Sequence, residues 1–387
     1  MKIYQVGGSV RDGLLGLPVT DRDYVVVGST PDEMRQLGFQ PVGRDFPVFL
    51  HPQTHEEYAL ARTERKQGRG HQGFVIHADP AVTLEEDLLR RDLTINAMAC
   101  DEQGSLIDPH GGQRDLGAGI LRHVSPAFSE DPLRVLRVAR FAARFGFAVA
   151  EDTEALMRDL VERGELRDLS PERVWQEIAR GLVERAPSRM LTVLRRCGAL
   201  AAIAPEVDRL FAQALPGRQP DSGVDTLEAL DRRATRLPKP AVAVQFAIAA
   251  RHLPAADALA LATRLRAPLE CRDAAVNAAR HTPLLRRARN PGASDWLDLL
   301  VALDALRRPE RLAMLIEVGG AYESSEAATK DFEHAAALWT GALSALSRIS
   351  YRQLEGSGDA DVAERVRQLR LSALEDWLRE LPSQPPH

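Results

Sequence analysis

The first third of the chain alternates short apolar runs with glycine-containing turns. Runs rich in β-branched and aromatic residues predict strands at residues 3–6, 24–27, 48–51, 57–61 and 106–108. Apolar positions spaced three and four apart predict helices at residues 10–15, 31–37 and 84–100. This mixture predicts a small mixed sheet with helices packed against it.

Beyond about residue 128 the pattern becomes helical throughout. Apolar residues recur at helical spacing in a background rich in Ala, Leu and Arg, and they predict helices at residues 133–145, 174–182, 190–200, 241–253, 296–306 and 362–374. The predicted fold class is therefore α+β. An N-terminal domain over residues 1–125 precedes all-helical regions over residues 126–200 and 201–387.

A pair of glycines follows the first predicted strand. Gly7 and Gly8 have no Cβ, so the backbone can turn tightly and bring its N–H groups close to a phosphate. The positive end of the following helix would lie behind those groups. The turn is therefore a candidate anion site.

Two aspartates stand where the second predicted strand begins. Asp21 and Asp23 are two residues apart, and alternate residues of a strand share a face, so their carboxylates would converge. Such a pair repels unless a divalent cation lies between the two groups, and Mg²⁺ with triphosphate oxygens suits these ligands. The alternative is a polar turn that holds two aspartates by chance.

A second polar cluster, RRDLTINA, spans residues 90–97 within the predicted helix 84–100. Helical spacing would place Arg91, Asp92 and Asn96 on nearby faces. A guanidinium suits a phosphate, and a carboxylate accepts hydrogen bonds from ribose hydroxyls. The alternative is an ordinary charged helix face.

The third cluster, EDPLRVLRVARFAARF, spans residues 130–145. Arg134, Arg137 and Arg140 repeat every three residues, and such a stripe repels itself unless an anion lies alongside. Asp131 and Arg134 are three apart, so an acceptor and donors would lie side by side. That pair fits the pairing edges of cytosine and adenine and opposes those of uracil and guanine. The alternative is an intrahelical salt bridge.

Composition narrows the class of protein. The chain has 387 residues, 44% hydrophobic and 27% charged, and no apolar run approaches the roughly 18 residues of a membrane span. Without a secretory signal pattern, the expected location is cytoplasmic. Cys100, Cys197 and Cys271 form no C-x-x-C motif, which argues against a disulfide framework. The net charge of −5 does not favour a strongly basic nucleic-acid-binding protein, so any binding of nucleic acid would depend on local basic patches.

Taken together and in order, these motifs resemble those of a known family. GGSVRD with DRD, RRDLTINA, DPHGGQRDL, EDPLRVLRVARF and SPERVWQEI are similar to motifs of the class II tRNA nucleotidyltransferases of the polymerase β superfamily. They resemble the bacterial CCA-adding enzymes in particular. The resemblance is close over about the first 200 residues.

The resemblance implies a fold, a reaction and partners. The fold is a nucleotidyltransferase head with the catalytic sheet, followed by a helical neck, body and tail that hold tRNA. The reaction is addition and repair of the 3′-terminal CCA of tRNA from CTP and ATP with Mg²⁺, by a monomer or a weak homodimer.

The resemblance also implies a role for individual residues. Asp21 and Asp23 would be catalytic and hold the metals, and Glu57 stands near a third carboxylate of related polymerases. Asp131 and Arg134 would read the base. Residues 64–73 stand where the family has a flexible loop involved in the change from C to A addition. The remaining residues expected to contact the nucleotide are Gly8, Arg11, Arg91, Arg137 and Arg140.

The C-terminal region departs from a common pattern of relatives. Many carry an HD-type metal phosphohydrolase domain, but Arg251 and His252 stand where a His-Asp pair would be, and the sequence has no His-Asp dipeptide. We therefore predict no phosphohydrolase activity and a role in holding RNA. Candidate phosphate contacts, which could equally be solvated surface, are Arg286, Arg287, Arg289, Arg307 and Arg308.

Two rival functions stay open on the sequence. A bacterial poly(A) polymerase shares the catalytic motifs but typically carries two basic residues before the phenylalanine of the segment that reads Gly43-Arg44-Asp45-Phe46 here. The acidic Asp45 favours CCA addition. A non-catalytic RNA-binding protein would have no reason to keep the two repelling carboxylates of Asp21 and Asp23.

Overall fold

The computed structural model describes residues 1–42, 48–66, 74–77, 79–212, 222–236, 241–287, 292–349 and 359–381. The chain forms two compact units, Met1–Ile203 and Ala204–His387. The first unit contains a sheet and helices and the second is helical, so the predicted α+β class is confirmed. The three-part division at residues 125 and 200 stays a prediction.

Strands of the first unit form one large sheet and two small ones. The large sheet has seven strands in the order β3-β4-β5-β2-β1-β8-β9, and β2 and β5 are parallel while the other neighbours are antiparallel. Strands β6 and β7 pair with each other, as do β10 and β11. The bounds are β1 Lys2–Val6, β2 Asp23–Val27, β3 Gln40–Val42, β4 Val48–Leu50, β5 Glu57–Leu60, β6 Thr63–Lys66, β7 Phe74–His77, β8 Ala99–Cys100, β9 Leu106–Ile107, β10 Ile120–Leu121 and β11 Ala148–Val149.

Helices of the first unit cover the sheet and continue beyond it. Short 3₁₀ turns lie at Thr94–Asn96, Pro126–Glu130 and Glu165–Asp168. The α-helices are α1 Gly8–Leu14, α2 Pro31–Gln36, α3 Leu84–Leu89, α4 Gly112–Ala118, α5 Leu133–Phe145, α6 Glu151–Glu162, α7 Pro171–Leu182, α8 Pro187–Arg196 and α9 Ala199–Ile203.

The second unit is built from helices over its described residues. One 3₁₀ turn lies at Arg209–Phe211. The α-helices are α10 Pro205–Asp208, α11 Ser222–Arg236, α12 Val242–Ala250, α13 Ala255–Arg264, α14 Leu269–Arg287, α15 Ala293–Ala302, α16 Pro309–Gly320, α17 Glu326–Ser347 and α18 Asp359–Glu380. Among the described helices, none combines the length and apolar character that crossing a bilayer requires.

Strand β2 is buried on both faces, which explains its uninterrupted apolar run. Val25 packs with Leu84 and Leu88 of α3, whereas Val26 packs with Met34 of α2 on the other face. Neighbouring strand residues point to opposite faces, so a strand between two helical layers needs apolar residues at consecutive positions. Strand β2 begins at Asp23, two residues before this buried pair.

The predicted helix at residues 84–100 is wrong beyond Leu89. Helix α3 ends there because tertiary contacts take the groups that a longer helix would use. The carbonyl oxygen of Leu89 accepts from Ser125 Oγ at 2.8 Å, and that of Arg90 accepts from Arg134 Nη2 at 2.6 Å. The N–H of Thr94 donates to the carbonyl of Arg122 at 2.9 Å. The cluster RRDLTINA therefore lies in a turn and not on one helix.

Other predictions from pattern differ in detail. The segment predicted as a loop at residues 64–73 begins inside a strand, because Thr63–Lys66 pairs with Phe74–His77. Residues 67–73 and Gly43–Phe46 lie outside the described residues. The predicted helix 190–200 is divided between α8 and α9 at Gly198, whose φ is +80°. Helix α5 matches its predicted range, 133–145.

Gly112, at the start of α4, packs directly against the turn at Thr94–Asn96. A Cβ at this position would overlap the carbonyl oxygen of Thr94 and lie 2.8 Å from Met98 Cγ. Backbone atoms cannot move aside as a flexible side chain can. We expect Gly112→Ala to lower the free energy of unfolding by about 1–3 kcal/mol, measured by denaturant unfolding.

The same helix provides the control for this substitution. A Cβ on Gly117 would meet no atom within 4 Å. Gly117→Ala should leave stability unchanged or raise it by about 0.5–1 kcal/mol, since alanine favours helix. Equal effects of the two substitutions would contradict the packing argument.

Candidate active site

One cavity of about 620 Å³ in the first unit gathers most of the predicted site residues. Gly8, Asp23, Glu57 and Asn96 lie on its wall, together with residues of the arginine-rich helix α5. Asp21 is not among the described residues that line it. The predicted residues that share this cavity are Gly8, Arg11, Asp23, Arg91, Asp131, Arg134, Arg137 and Arg140.

The glycine turn is shaped by a close approach of Arg91. Gly7 has φ +71°, and a Cβ on it would lie 2.8 Å from Arg91 Nη1. Glycine is therefore favoured at this position by the left-handed backbone, and a side chain there would have to displace the end of Arg91. Helix α1 begins at the next residue, Gly8, which also lines the cavity. The turn thus holds a guanidinium beside the backbone that was predicted to approach a phosphate.

Arg11, on α1, is buried and held from several sides. Its guanidinium pairs with Asp12 Oδ1 at 2.7 Å and donates to Asn96 Oδ1. It also lies 5.2 Å and 4.9 Å from the ring centroids of Phe141 and Phe145. The ring faces favour the cation, and the carboxylate balances its charge. Arg11 is therefore fixed at the cavity wall before any ligand arrives.

The carboxylates of the site come from two neighbouring strands. Asp23 is the first residue of β2 and stands opposite Glu57, the first residue of β5. Asp21 is exposed and lies two positions before the strand, so the prediction that both aspartates share one strand face is wrong. They still interact: burial raises the pKa of Asp23, Arg91 opposes the rise, and the charge of Asp21 adds to it.

These carboxylates fit a hard divalent cation. Burial and the neighbouring charge of Asp21 disfavour the charged form of Asp23, Arg91 favours it, and a cation beside this exposed residue would favour it further. Carboxylate oxygens are the donors that such cations take. The described residues contain no ready-made group of three or more His, Cys, Asp or Glu placed to hold a metal. Phosphate oxygens and water would have to complete the coordination.

Arg137 and Arg140 of α5 are paired with acids of other elements. Arg137 Nε donates to Asp92 Oδ2 at 2.7 Å, and Arg140 Nε donates to Glu177 Oε2 at 2.6 Å. Glu177 Oε1 is also 4.0 Å from Arg137 Nη1. The sequence predicted a stripe that needs an anion from outside. In the structure much of the balancing charge comes from the protein itself.

Asp131 and Arg134 lie in the cavity wall but do not share one helix. Asp131 precedes α5, pairs with Arg173 Nη2 at 2.8 Å through Oδ2, and accepts from the N–H of Leu133 at 3.1 Å through Oδ1. Arg134 donates to the carbonyl oxygens of Ala127 at 2.9 Å and Arg90 at 2.6 Å. Each group of the predicted base-reading pair is therefore held separately.

Several supporting residues were not identified from the sequence. Asp87 stands four residues before Arg91 on α3, and that spacing alone could have suggested the contact. Arg144, Arg173 and Glu177 gave no comparable indication, because their partners are remote in sequence, and neither did the remote one of the two contacts of Asp12. Arg144 Nη2, for example, reaches Asp12 Oδ2 at 2.8 Å across 132 positions.

Asp92 contributes stability that depends on pH. Burial by itself would raise its pKa, but Arg137, Asn96 and Arg134 outweigh burial and hold the pKa well below its usual range. A carboxyl depressed in this way stabilises the fold above its unfolded pKa of about 3.9, and the contribution is lost as pH falls further. We expect Asp92→Asn to lower the free energy of unfolding at pH 7 by about 3 kcal/mol or more. Below about pH 4 the difference from the unmodified protein should shrink steadily.

Urea unfolding at a series of pH values would measure this effect. An exposed pair supplies the control, since Asp32 and Arg35 are 2.6 Å apart on α2 with side chains 84% and 55% exposed. Asp32→Asn should cost less than about 1 kcal/mol at every pH. If the loss of unfolding free energy caused by Asp92→Asn stayed constant down to pH 2, this would contradict a lowered pKa of Asp92.

Comparisons with known proteins bear on this site. A sequence family described as "Poly A polymerase head domain" matches residues 3–122, and one described as "Probable RNA and SrmB- binding site of polymerase A" matches residues 146–211. The multifunctional CCA protein of Aromatoleum aromaticum is 51% identical over 97% of this chain and 98% of its own length. The chain belongs to the CCA-adding tRNA nucleotidyltransferase family. The multifunctional CCA protein of Azoarcus sp. is 48% identical over 100% of this chain and 98% of its own length.

Solved structures of CCA-adding enzymes share the fold. An apo CCA-adding enzyme aligns with a TM-score of 0.70 and 22% identity over 98% of this chain and 91% of its own. The Thermotoga maritima CCA-adding enzyme, solved in complex with tRNA, aligns with a TM-score of 0.67 and 23% identity over 98% of this chain and 92% of its own. The family resemblance and the fold expected from it are confirmed. The roles of individual residues stay predictions.

Two histidines of the second unit, His252 and His281, are packed within it, whereas His334 is exposed. His252 lies edge-on to Tyr322, with ring centroids 5.1 Å apart. His281 is 4% exposed, and burial together with Arg280 lowers its pKa. The absence of phosphohydrolase activity stays a prediction. Of the candidate phosphate contacts, Arg307 and Arg308 are exposed, whereas the side chains of Arg286, Arg287 and Arg289 lie outside the described residues.

Proposed function

We propose that this chain adds and repairs the 3′-terminal CCA of tRNA from CTP and ATP, without a nucleic-acid template and with release of pyrophosphate. One observation carries the proposal. A single cavity in a member of the CCA-adding family joins the carboxylate of Asp23 to the fixed arginines and to Asp131 and Arg134. Phosphate binding, cation binding and base selection would thus take place within one space.

Nucleotidyl transfer of this kind uses a divalent metal, and we propose Mg²⁺ held by Asp21 and Asp23, with Glu57 as a neighbouring carboxylate. Bound there, Mg²⁺ would make the RNA 3′-hydroxyl more acidic and offset the charge of the leaving pyrophosphate. The new bond joins the 3′ oxygen to the α-phosphorus, the bond from the α-phosphorus to the bridging oxygen of the β-phosphate breaks and releases pyrophosphate, and the hydroxyl proton passes to solvent. The chain's own contribution is to place these groups.

The triphosphate would lie along the glycine turn and the fixed arginines. Gly8 has no side chain to keep a phosphate from the backbone, and Arg11 and Arg91 stand at the same wall; the N–H of Gly7 is not available, because it donates to the carbonyl of Met98 at 3.2 Å. Arg137 and Arg140 are held rigidly by carboxylates, so binding a nucleotide costs little side-chain entropy. These contacts do not depend on the base. They would serve CTP and ATP alike.

The base would be read by Asp131 and Arg134. A carboxylate accepts from the exocyclic amine of cytosine or adenine, and a guanidinium donates to the adjacent ring nitrogen. Uracil and guanine present the opposite pattern and would leave buried groups without partners. Arg173 holds Asp131, and the carbonyl oxygens of Ala127 and Arg90 hold Arg134, at positions set by the fold.

The direct test incubates the purified protein with Mg²⁺, CTP, ATP and a tRNA that lacks its last three nucleotides. Sequencing of the products should show C-C-A added and then termination. A long A tail grown from ATP alone would establish a poly(A) polymerase instead, and unextended tRNA would refute the proposal. We propose tRNA as the macromolecular partner, a monomeric or weakly dimeric state and a cytoplasmic location.

A further inference from the structure

Asp87, on α3, is a completely buried carboxylate that lies behind the nucleotide cavity. Its Oδ1 accepts from Arg90 Nη2 at 2.8 Å and from the backbone N–H of Arg62 at 3.4 Å. Its Oδ2 pairs with Arg91 Nη2 at 3.2 Å. The side chain has no exposed surface, so Asp87 does not itself touch a ligand. Arg62, Arg90 and Arg91, however, all line the cavity.

Asp87 is a charged group that holds the guanidinium groups of two residues of the cavity wall. Burial by itself would raise the pKa of Asp87, but Arg90 and Arg91 outweigh burial and lower it, so the carboxylate is charged at neutral pH. Asp23, which lines the cavity, also interacts with Arg91. The guanidinium of Arg91 therefore lies between a buried carboxylate and the cavity, where a polyanionic ligand could contact it.

Arg91 is the partner with donors left for such a ligand. Its Nη1 makes one long contact, with the carbonyl oxygen of Asn96 at 3.4 Å, whereas its Nε is buried and is not accessible to a ligand. The same Nη1 lies beside Gly7 in the turn that opens α1. The contact with Asp87 therefore decides where this guanidinium stands. A long side chain without that contact would be free to move from the turn.

We propose that Asp87 is a positioning residue that holds Arg91 against the glycine turn, so that its guanidinium can receive the triphosphate of either substrate nucleotide. The proposal rests on the proposed function, because it takes the ligand of the cavity to be CTP or ATP. It assigns Asp87 no contact with the base or with the reacting atoms. Its effect should therefore be the same for both nucleotides.

The test measures steady-state kinetics of single additions by the full-length protein. CMP addition is followed on tRNA lacking its last three nucleotides, and AMP addition on tRNA lacking only the last. We expect Asp87→Asn to raise KM for CTP and for ATP by about 10-fold or more, as loss of a residue that orients a ligand typically does. Since the contact is made before the chemical step, kcat should change less than KM, and the ratio of the two KM values should stay constant.

A double-mutant cycle separates this role from general support of the fold. If Asp87 acts through Arg91, then Asp87→Asn combined with Arg91→Gln should bind nucleotide no worse than Arg91→Gln alone. A purely structural role predicts a smaller active fraction, seen as a lower kcat at unchanged KM, and effects that add. If the unmodified protein is active, a lower kcat at unchanged KM, or additive effects of the two substitutions, would overturn the proposal.

Two further variants guard against failure to fold. Asp87→Glu keeps the charge and moves it by one methylene, so it should fold with an intermediate KM; a KM equal to that of the unmodified protein would overturn the proposal. Glu206→Gln is the matched control, since Glu206 is 4% exposed and pairs with Arg264 at 2.6 Å in the second unit. It should lower thermal stability while leaving both KM values unchanged. If the unmodified protein extends no tRNA, the proposed function fails, and nucleotide binding by the same variants still tests Asp87.

Discussion

Asp21→Ala and Asp23→Ala should each abolish addition of both CMP and AMP, with a fall in rate of at least about 10³-fold. Burial, together with the neighbouring charge of Asp21, raises the pKa of Asp23, although Arg91 opposes the rise. A cation shared with the nucleotide would favour the charged carboxylate, and either substitution would remove a proposed ligand of that cation. Binding of tRNA should change by less than about threefold, because phosphate contacts elsewhere supply it.

Single-turnover incorporation and a tRNA filter-binding assay would measure the two quantities separately. Asp159→Ala is a suitable control, since Asp159 is a 56% exposed carboxylate paired with Arg163 on α6 and lies outside the cavity. It should retain full activity. Turnover near that of the unmodified protein in either active-site variant would refute the metal role. Asp23→Asn would add a stricter comparison, because it keeps the shape of the side chain and removes only the charge.

Asp131→Ala should relax nucleotide selection, with discrimination against UTP and GTP falling by about 10² to 10⁴-fold. The carboxylate is the acceptor that an exocyclic amine would need, and uracil and guanine offer a carbonyl at the corresponding position. Arg173 would lose its partner at 2.8 Å and become an additional donor near the base. We therefore expect kcat/KM for UTP to rise by a larger factor than the factor by which kcat/KM falls for CTP and ATP. A panel of the four nucleotides on the same tRNA would measure kcat/KM for each.

Exchanging Asp131 and Arg134 would be a harsher form of this test. A carboxylate at position 134 would face the carbonyl oxygens of Ala127 and Arg90, where Arg134 now donates two hydrogen bonds. The exchange should still move selection toward UTP and GTP, but at a cost in stability. Asp131→Ala is therefore the clearer test, because it places no carboxylate against these carbonyl oxygens. Asp257→Ala removes a comparable pair with Arg209 in the second unit and should leave selection unaltered. Unchanged preference in the Asp131 variant would remove the base-reading role.

The sequence placed most of the site residues in a common set without showing how they meet. Asp23 and Glu57 were named separately, and the parallel pairing of β2 with β5 sets them opposite each other. The sequence grouped Arg91, Asp92 and Asn96 correctly but placed them on a helix. They meet because Asn96 Nδ2 donates to Asp92 Oδ1 at 2.9 Å within a turn. Residue types and short spacings were enough to predict which residues belong together. They were not enough to predict the backbone conformation that brings them together.

What the sequence determined by itself follows from local physics. The alternation of apolar runs and glycine turns gave the strands, the three-and-four spacing gave helices such as α5, and the motif order identified the family. These features depend on neighbours within a few residues. The tertiary structure alone decided where helix α3 ends, because remote groups on Ser125 and Arg134 take the carbonyls of Leu89 and Arg90. The tertiary structure also decided that carboxylates hold the arginines of the cavity. Arg144 contacts Asp12 across 132 positions and Arg140 contacts Glu177 across 37 positions, and such contacts exist only once the chain has folded.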